Sequence, residues 1–216
     1  AIMTGILFDL DGTLLNTLDD LMDAVNHTME VFGYPRHSRE EVRRFVGNGA
    51  GRLLQLSVPQ GRDWQEPLAA FQSYYREHCQ IKTAPYPGIM EALYALKKYP
   101  MAIVSNKPDA AVKKLCAQYF PGIYAQGEHP GCLRKPSPDM VRIAMEHIGV
   151  DRCIYVGDSE VDVLTAHNAA VPCLSVLWGF RDRAEIQAAG ESRFCETPAQ
   201  MPAMLEEMMK ELDNGQ

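Results

Sequence analysis

No apolar run among the 216 residues is long enough to cross a bilayer as a helix, and the first residues carry no basic segment leading into an apolar one. Neither a membrane-spanning helix nor a secretory signal is therefore expected, and the cytoplasm is the expected compartment. Positive charge is in short supply: 21 Lys and Arg face 28 Asp and Glu, a formal net charge of −7. Nucleic acid and anionic membrane repel such a chain and are not expected as partners. The six cysteines (Cys79, Cys116, Cys132, Cys153, Cys173 and Cys195) include no Cys-x-x-Cys pair, and the six histidines show no ligand spacing. Reduced thiols are expected rather than disulfides or a zinc site. His27, His78, His147 and His167 fall in helical stretches and read as surface or internally satisfied residues. Repeats and low-complexity tracts are also missing. What remains is the composition of an ordinary globular protein, 46% apolar and 23% charged, long enough for one large domain or two unequal ones.

From about residue 83 onward, short apolar runs alternate with helical stretches. Residues 101–104, 153–156 and 171–177 read as strands, and 108–118, 138–147, 159–169, 183–189 and 202–212 as helices. Pro108 suits a helix start, and Gly149 a helix stop. Strands that are apolar throughout, separated by helices, indicate a parallel sheet covered on both faces. Residues 16–82 break this rhythm. Leu18, Leu21, Met22, Val25, Met29 and Phe32 form one helical stripe, closed by Gly33 and Pro35. Ser38 and Glu41 make a capping-box signature ahead of Val42, Phe45 and Val46. A glycine turn, Gly47-Asn48-Gly49-Ala50-Gly51, then precedes more helical pattern as far as His78. The expectation is an α/β fold, a doubly wound parallel sheet with an inserted α-helical cap. Residues 1–15 and 83–216 would form the core and 16–82 the cap.

The chemistry concentrates at strand ends. Ile6, Leu7 and Phe8 read as the end of a buried strand, followed at once by Asp9-Leu10-Asp11-Gly12-Thr13. Carboxylates two apart share a face while the strand lasts, and Gly12 marks where the chain turns away. Ser105-Asn106 follows Ile103-Val104, Lys135-Pro136 lies in a loop before a helix, and Gly157-Asp158-Ser159-Glu160-Val161-Asp162 follows Tyr155-Val156. Each has an ordinary reading on its own. Ser105-Asn106 suits a helix-capping turn, Lys135 a solvated lysine, and Asp158 with Asp162 the acidic start of a helix.

In this order, the four motifs resemble those of the haloacid dehalogenase-like hydrolase superfamily over nearly the whole chain. The resemblance implies that Asp9 is a nucleophile forming an aspartyl-phosphate, and that Asp11 is the general acid and then base. It implies Mg²⁺ held by Asp9, the Asp11 backbone carbonyl and Asp158, with Asp162 acting through water or by orienting its loop. Ser105 and the Asn106 amide would bind the phosphoryl group, and Lys135 would offset its charge. An acid at Asp11 suits phosphate-ester chemistry rather than dehalogenation or phosphonate cleavage. Gly157-Asp158 differs from the Glu-Asp usual in mutase relatives.

The cap segment Val46-Gly47-Asn48-Gly49-Ala50 and the run Val176-Leu177-Trp178-Gly179-Phe180 are similar to those of phosphoglycolate phosphatases. By that resemblance, Gly47, Asn48 and Gly49 would approach a small anionic substrate through backbone amides, and Arg52 would meet its carboxylate. Ala170 departs from the family's usual glycine, altering a turn but no catalytic group. The implied enzyme is a Mg²⁺-dependent phosphatase of a small phosphorylated metabolite, 2-phosphoglycolate first, working as a monomer or homodimer. A pyrophosphatase and a broader sugar-phosphate phosphatase are the alternatives of the same class. A non-catalytic phosphate-binding protein is the alternative of another, and it would be expected to have lost Asp9, Asp11, Lys135 or Asp158.

Overall fold

The structure is a computed structural model describing residues 1–190 and 192–215. Strand β1 (Thr4–Phe8) and two-residue β2 (Leu15–Asn16) lead into α1 (Leu18–Val31), α2 (Arg39–Phe45), α3 (Gly49–Ser57) and α4 (Gln65–His78). The chain returns through β3 (Ala84–Pro85) to α5 (Ile89–Ala95), β4 (Met101–Pro108), α6 (Asp109–Tyr119) and β5 (Tyr124–Glu128). It ends with α7 (Asp139–Ile148), β6 (Arg152–Gly157), α8 (Glu160–Asn168), β7 (Cys173–Val176), α9 (Arg183–Ala189), β8 (Arg193–Cys195) and α10 (Met201–Asn214).

The sheet is parallel throughout, ordered β5-β4-β1-β6-β7-β8. Strand β1 is followed in the sheet by β4 on one side and joined later by β6 on the other, so the winding reverses beside it. Both faces are apolar, as a parallel sheet requires. Ile6, Phe8, Ile154 and Val156 pack on one face, and Leu7, Cys153 and Tyr155 on the other, where Met140, Val141 and Ala144 of α7 cover them. All six cysteines are free and buried. Among the described residues no helix is long and apolar enough to cross a membrane.

Helices α1 to α4 pack on one another as an inserted helical cap. Leu21, Val25 and Met29 of α1 are buried, and Ser38 with Glu41 forms the capping box that starts α2. The chain leaves and re-enters the core side by side, because β2 pairs antiparallel with β3. Asp20, buried in α1, accepts the Lys82 and Thr83 amides and the Thr83 hydroxyl at 2.8–3.0 Å, tying the cap to its return strand.

Several elements differ from sequence expectation. Strands β5 and β8 are the sheet edges, and Gln126-Gly127 and Arg193 give them too polar a pattern to stand out. Helix α5 is only seven residues long, and the β2–β3 ribbon has two residues a side. The expected strand at 171–177 begins at Cys173, because the Val171 amide still bonds back to Ala166 and closes α8. That closure puts Ala170 at φ 57°, the one described non-glycine residue with positive φ. A β-carbon makes this conformation costly, by roughly 1–2 kcal/mol, while glycine gives back part of that gain through its freer unfolded chain. Ala170→Gly is therefore expected to stabilise the protein by about 0.5–1 kcal/mol in urea unfolding. A destabilised variant would contradict the strained-turn assignment.

Candidate active site

Phe8 is in register with Ile103 of β4 and Val156 of β6, and the Asp9 amide donates to the Val156 carbonyl at 2.9 Å. Asp9 thus leaves the sheet at its switch point, where an open α/β sheet has its crevice. Gly12, at φ 83°, turns the chain back. A β-carbon at Gly12 would lie 2.1 Å from Asp158 Oδ2, and one at Gly179 would lie 2.2 Å from the Gly12 carbonyl oxygen. Both positions need glycine for two loops to close around Asp158.

Asp9 Oδ1 accepts the Leu10 amide at 2.8 Å and Lys135 Nζ at 3.0 Å. The same ammonium, 2% exposed, reaches Asp162 Oδ1 at 3.1 Å, the Tyr155 hydroxyl at 2.7 Å and the Val104 carbonyl at 3.1 Å. Burial works against the lysine's charge, yet Asp162 and Asp9 outweigh it and hold its pKa above the usual lysine value. Tyr155 in turn donates to Asp162 Oδ1 at 2.7 Å. Asp162 Oδ2 accepts the Asp158 and Ser159 amides and the Ser159 hydroxyl, in the capping box that opens α8. With five donors on its two oxygens, Asp162 orients the loop and the lysine and has little capacity left to bind a metal directly.

Asp158 accepts the Thr13 hydroxyl at 3.1 Å and the Phe180 amide at 2.9 Å. Burial first, and then the charge of Asp162, raise the Asp9 carboxyl well above the usual range against the pull of Lys135. The same two causes push Asp158 up to about 7. Carboxylate oxygens of Asp9, Asp158 and Asp162 lie within 4.8 Å of one another. With Asp162 taken up by its own donors, half-buried Asp9 and buried Asp158 are the pair whose oxygens fit a hard divalent cation.

Asp11 faces the cavity beside them. Its Oδ1 accepts the Thr17 hydroxyl at 2.5 Å and Lys107 Nζ at 3.0 Å, while among the described residues Oδ2 takes no hydrogen bond. Lys107 is buried, and its ammonium sits 4.5 Å from the ring centre of Tyr75, which the cap supplies. Strand β4 runs on to Pro108, so Ser105 and Asn106 belong to its end rather than to a helix cap. The Asn106 side chain pairs with the Lys135 backbone at 2.8 and 2.9 Å and donates to the Gly47 carbonyl at 3.2 Å. It therefore holds the lysine loop and touches the cap at once.

Gly47 and Gly49 line the cavity, at φ 131° and 88°, with Val46, Ala50, Leu53, Phe71 and Tyr75 on the cap side. Asn48, at the start of α3, is not among the lining residues. Arg52 is exposed on the same helix, donates to Gln55 at 3.3 Å, and stays out of the cavity. Arg181 takes part where no motif pointed. Its buried guanidinium donates to the Arg43, Arg44 and Val46 carbonyls at the end of α2, latching the cap to the core. Trp178 donates to the Thr13 carbonyl at 2.9 Å, fastening the same two loops. The space between cap and core is a partly open cavity of about 60 Å³.

The model of the haloacid dehalogenase-like hydrolase family matches residues 6–176, and the chain belongs to that family. Within it, the relatives in question are named phosphoglycolate phosphatases. The Vibrio parahaemolyticus protein is 33% identical, over 85% of this chain and 88% of its own. The Agrobacterium fabrum protein is 31% identical, over 94% and 93%. A crystal structure from Lactobacillus delbrueckii subsp. bulgaricus, provisionally named as a phosphoglycolate phosphatase, superposes with a TM-score of 0.88 at 33% identity. The match covers 95% of this chain and 99% of that one.

A carboxyl whose pKa is raised on folding holds an extra proton in the native state, so stability falls as pH rises across the shifted interval. In protein stripped of divalent cations, thermal stability is expected to decline from about pH 4 through about pH 7, the value to which Asp158 is raised. Adding a divalent cation is expected to flatten that slope, with its largest stabilisation at the alkaline end. Melting curves with and without chelator decide this. A slope unchanged by the cation would contradict a site built on Asp9 and Asp158.

Proposed function

We propose that this enzyme hydrolyses a small phosphomonoester, with 2-phosphoglycolate as its first substrate, through phosphorylation of Asp9. The observation that carries the reading is the division of one cavity between cap and core. Its core side gathers carboxylates and two buried ammonium groups, while its cap side is apolar apart from backbone and one tyrosine hydroxyl. A sugar phosphate would leave its hydroxyls unpaired against Leu53 and Phe71, whereas a short phosphate ester would not. The names of the relatives point the same way.

We assign the cation as Mg²⁺, held by Asp9, Asp158 and the Asp11 backbone carbonyl. When bound, it supplies positive charge that shields the phosphate from the carboxylates. Asp9 Oδ2, which takes no hydrogen bond among the described residues, attacks phosphorus. The P–O bond to the substrate breaks, and Asp11 Oδ2 gives its proton to the departing oxygen. Lys135 offsets charge at Asp9. The Ser105 hydroxyl, whose oxygen accepts the Lys107 amide at 3.1 Å, still has its hydrogen to donate to the phosphoryl group, as has the Asn106 amide. Asp11 then removes a proton from water, whose oxygen attacks phosphorus, releasing phosphate and restoring Asp9.

In this reading, residues 16–82 form the cap and residues 1–15 with 83–216 the core, with the β2–β3 ribbon as hinge. Opening about the ribbon would separate Arg181 from α2 and Asn106 from Gly47, which makes these bonds the closing contacts. Asp9→Asn is expected to lower phosphate release by roughly a thousandfold or more with an unchanged circular-dichroism spectrum. Turnover near wild type would overturn the nucleophile. Across phosphoglycolate, pyrophosphate, sugar phosphates and nucleotides, kcat/KM is expected to favour phosphoglycolate by about a hundredfold. A flat profile, or pyrophosphate in first place, would overturn the substrate while leaving the chemistry.

A further inference from the structure

A substrate such as phosphoglycolate presents a carboxylate two bonds from the leaving oxygen, and a buried carboxylate needs donors. Arg52 is exposed and outside the cavity, so it does not supply them. Two other groups do face the space beside Asp11. Tyr75, from α4 of the cap, is 4% exposed, and its hydroxyl makes no hydrogen bond of ordinary length, with the Lys107 ammonium as its polar neighbour. Buried hydroxyls without partners are rare and costly, which marks one as awaiting a ligand. Lys107, from the end of β4, spends one N–H on Asp11 and has the Tyr75 side chain as its other near neighbour. Both residues line the cavity, and the lysine ammonium lies 4.5 Å from the Tyr75 ring centre.

We infer that the Tyr75 hydroxyl and the Lys107 ammonium form the specificity subsite for the carboxylate of a short phosphorylated acid, assembled only when the cap is closed. The inference rests on the reading of this cavity as a phosphomonoesterase site. Its position follows from the chemistry: Asp11 protonates the leaving oxygen, so a group bonded to Asp11 lies on the leaving-group side. The hydroxyl and the ammonium come from opposite sides of the cap–core boundary, so a carboxylate between them would also tie the cap down. Burial holds the Tyr75 phenol above its ordinary pKa, which keeps it a donor throughout the physiological range.

The test compares 2-phosphoglycolate with ethyl phosphate, a neutral-tailed ester of similar length, in wild type, Tyr75→Phe and Lys107→Met. Wild type is expected to prefer phosphoglycolate. Tyr75→Phe is expected to lower kcat/KM for phosphoglycolate by about tenfold or more, while ethyl phosphate changes by no more than about twofold. Lys107→Met is expected to lower both, since it also strips Asp11 of its partner, and to lower phosphoglycolate further. Because Tyr75→Phe keeps the ring and removes only a hydroxyl with no hydrogen bond of ordinary length, its unliganded melting temperature is expected to stay close to that of wild type. A wild type with no preference for phosphoglycolate would overturn the substrate reading itself. A wild-type preference that both variants retain would overturn only the subsite, as would an equal loss on the two esters in Tyr75→Phe.

Discussion

A shortage of positive charge at the end of β1 governs the site. Asp9, Asp158 and Asp162 converge in a buried space where a single ammonium, Lys135, touches two of them. Repulsion of this kind is relieved by protons or by added cations. The rest of the core is arranged so that the crowding survives folding. Tyr155 and the start of α8 consume the charge of Asp162, Asn106 holds the lysine loop by its backbone, and glycines at 12 and 179 leave room around Asp158. Residual negative charge at Asp9 and Asp158 suits the pair to a divalent cation. A dianionic phosphate can approach Asp9 only once that charge is answered.

The cap contributes little charge and much exclusion. Its wall is aliphatic and aromatic, and its contacts with the core include a guanidinium on the end of α2, an amide on Gly47 and an ammonium beside Tyr75. Low-dielectric walls of this kind raise the value of the charges that face them.

The sequence was most legible where one element alone sets the pattern. Apolar residues on both faces of β1 and β6 predicted a covered parallel sheet, the Leu18–Met29 stripe predicted α1, and Ser38 with Glu41 and Gly149 marked helix ends. Asp9, Asp11, Ser105, Asn106 and Asp158 could be picked out because each follows an apolar run, and Lys135 by its place in the motif order, and the structure gathers them around one cavity. Less visible were features that exist only between elements. Lys107 reads as part of a turn, Tyr75 as one member of a helical stripe, and Arg181 as a loop charge, yet they meet across the cap boundary. Arg52 shows the converse. It lies five residues beyond Gly47, but helical geometry turns it to solvent. The edge strands β5 and β8 escaped because a polar, half-exposed strand has no distinctive period.

The most direct test of the central claim is to trap the intermediate. Borohydride added during turnover of phosphoglycolate with Mg²⁺ would reduce an acyl phosphate to the alcohol, leaving homoserine where an aspartate stood. Peptide mass spectrometry is predicted to find that change at position 9, and only when both substrate and cation are present. Active turnover with Asp9 unmodified, or with the label on another carboxylate, would contradict the account.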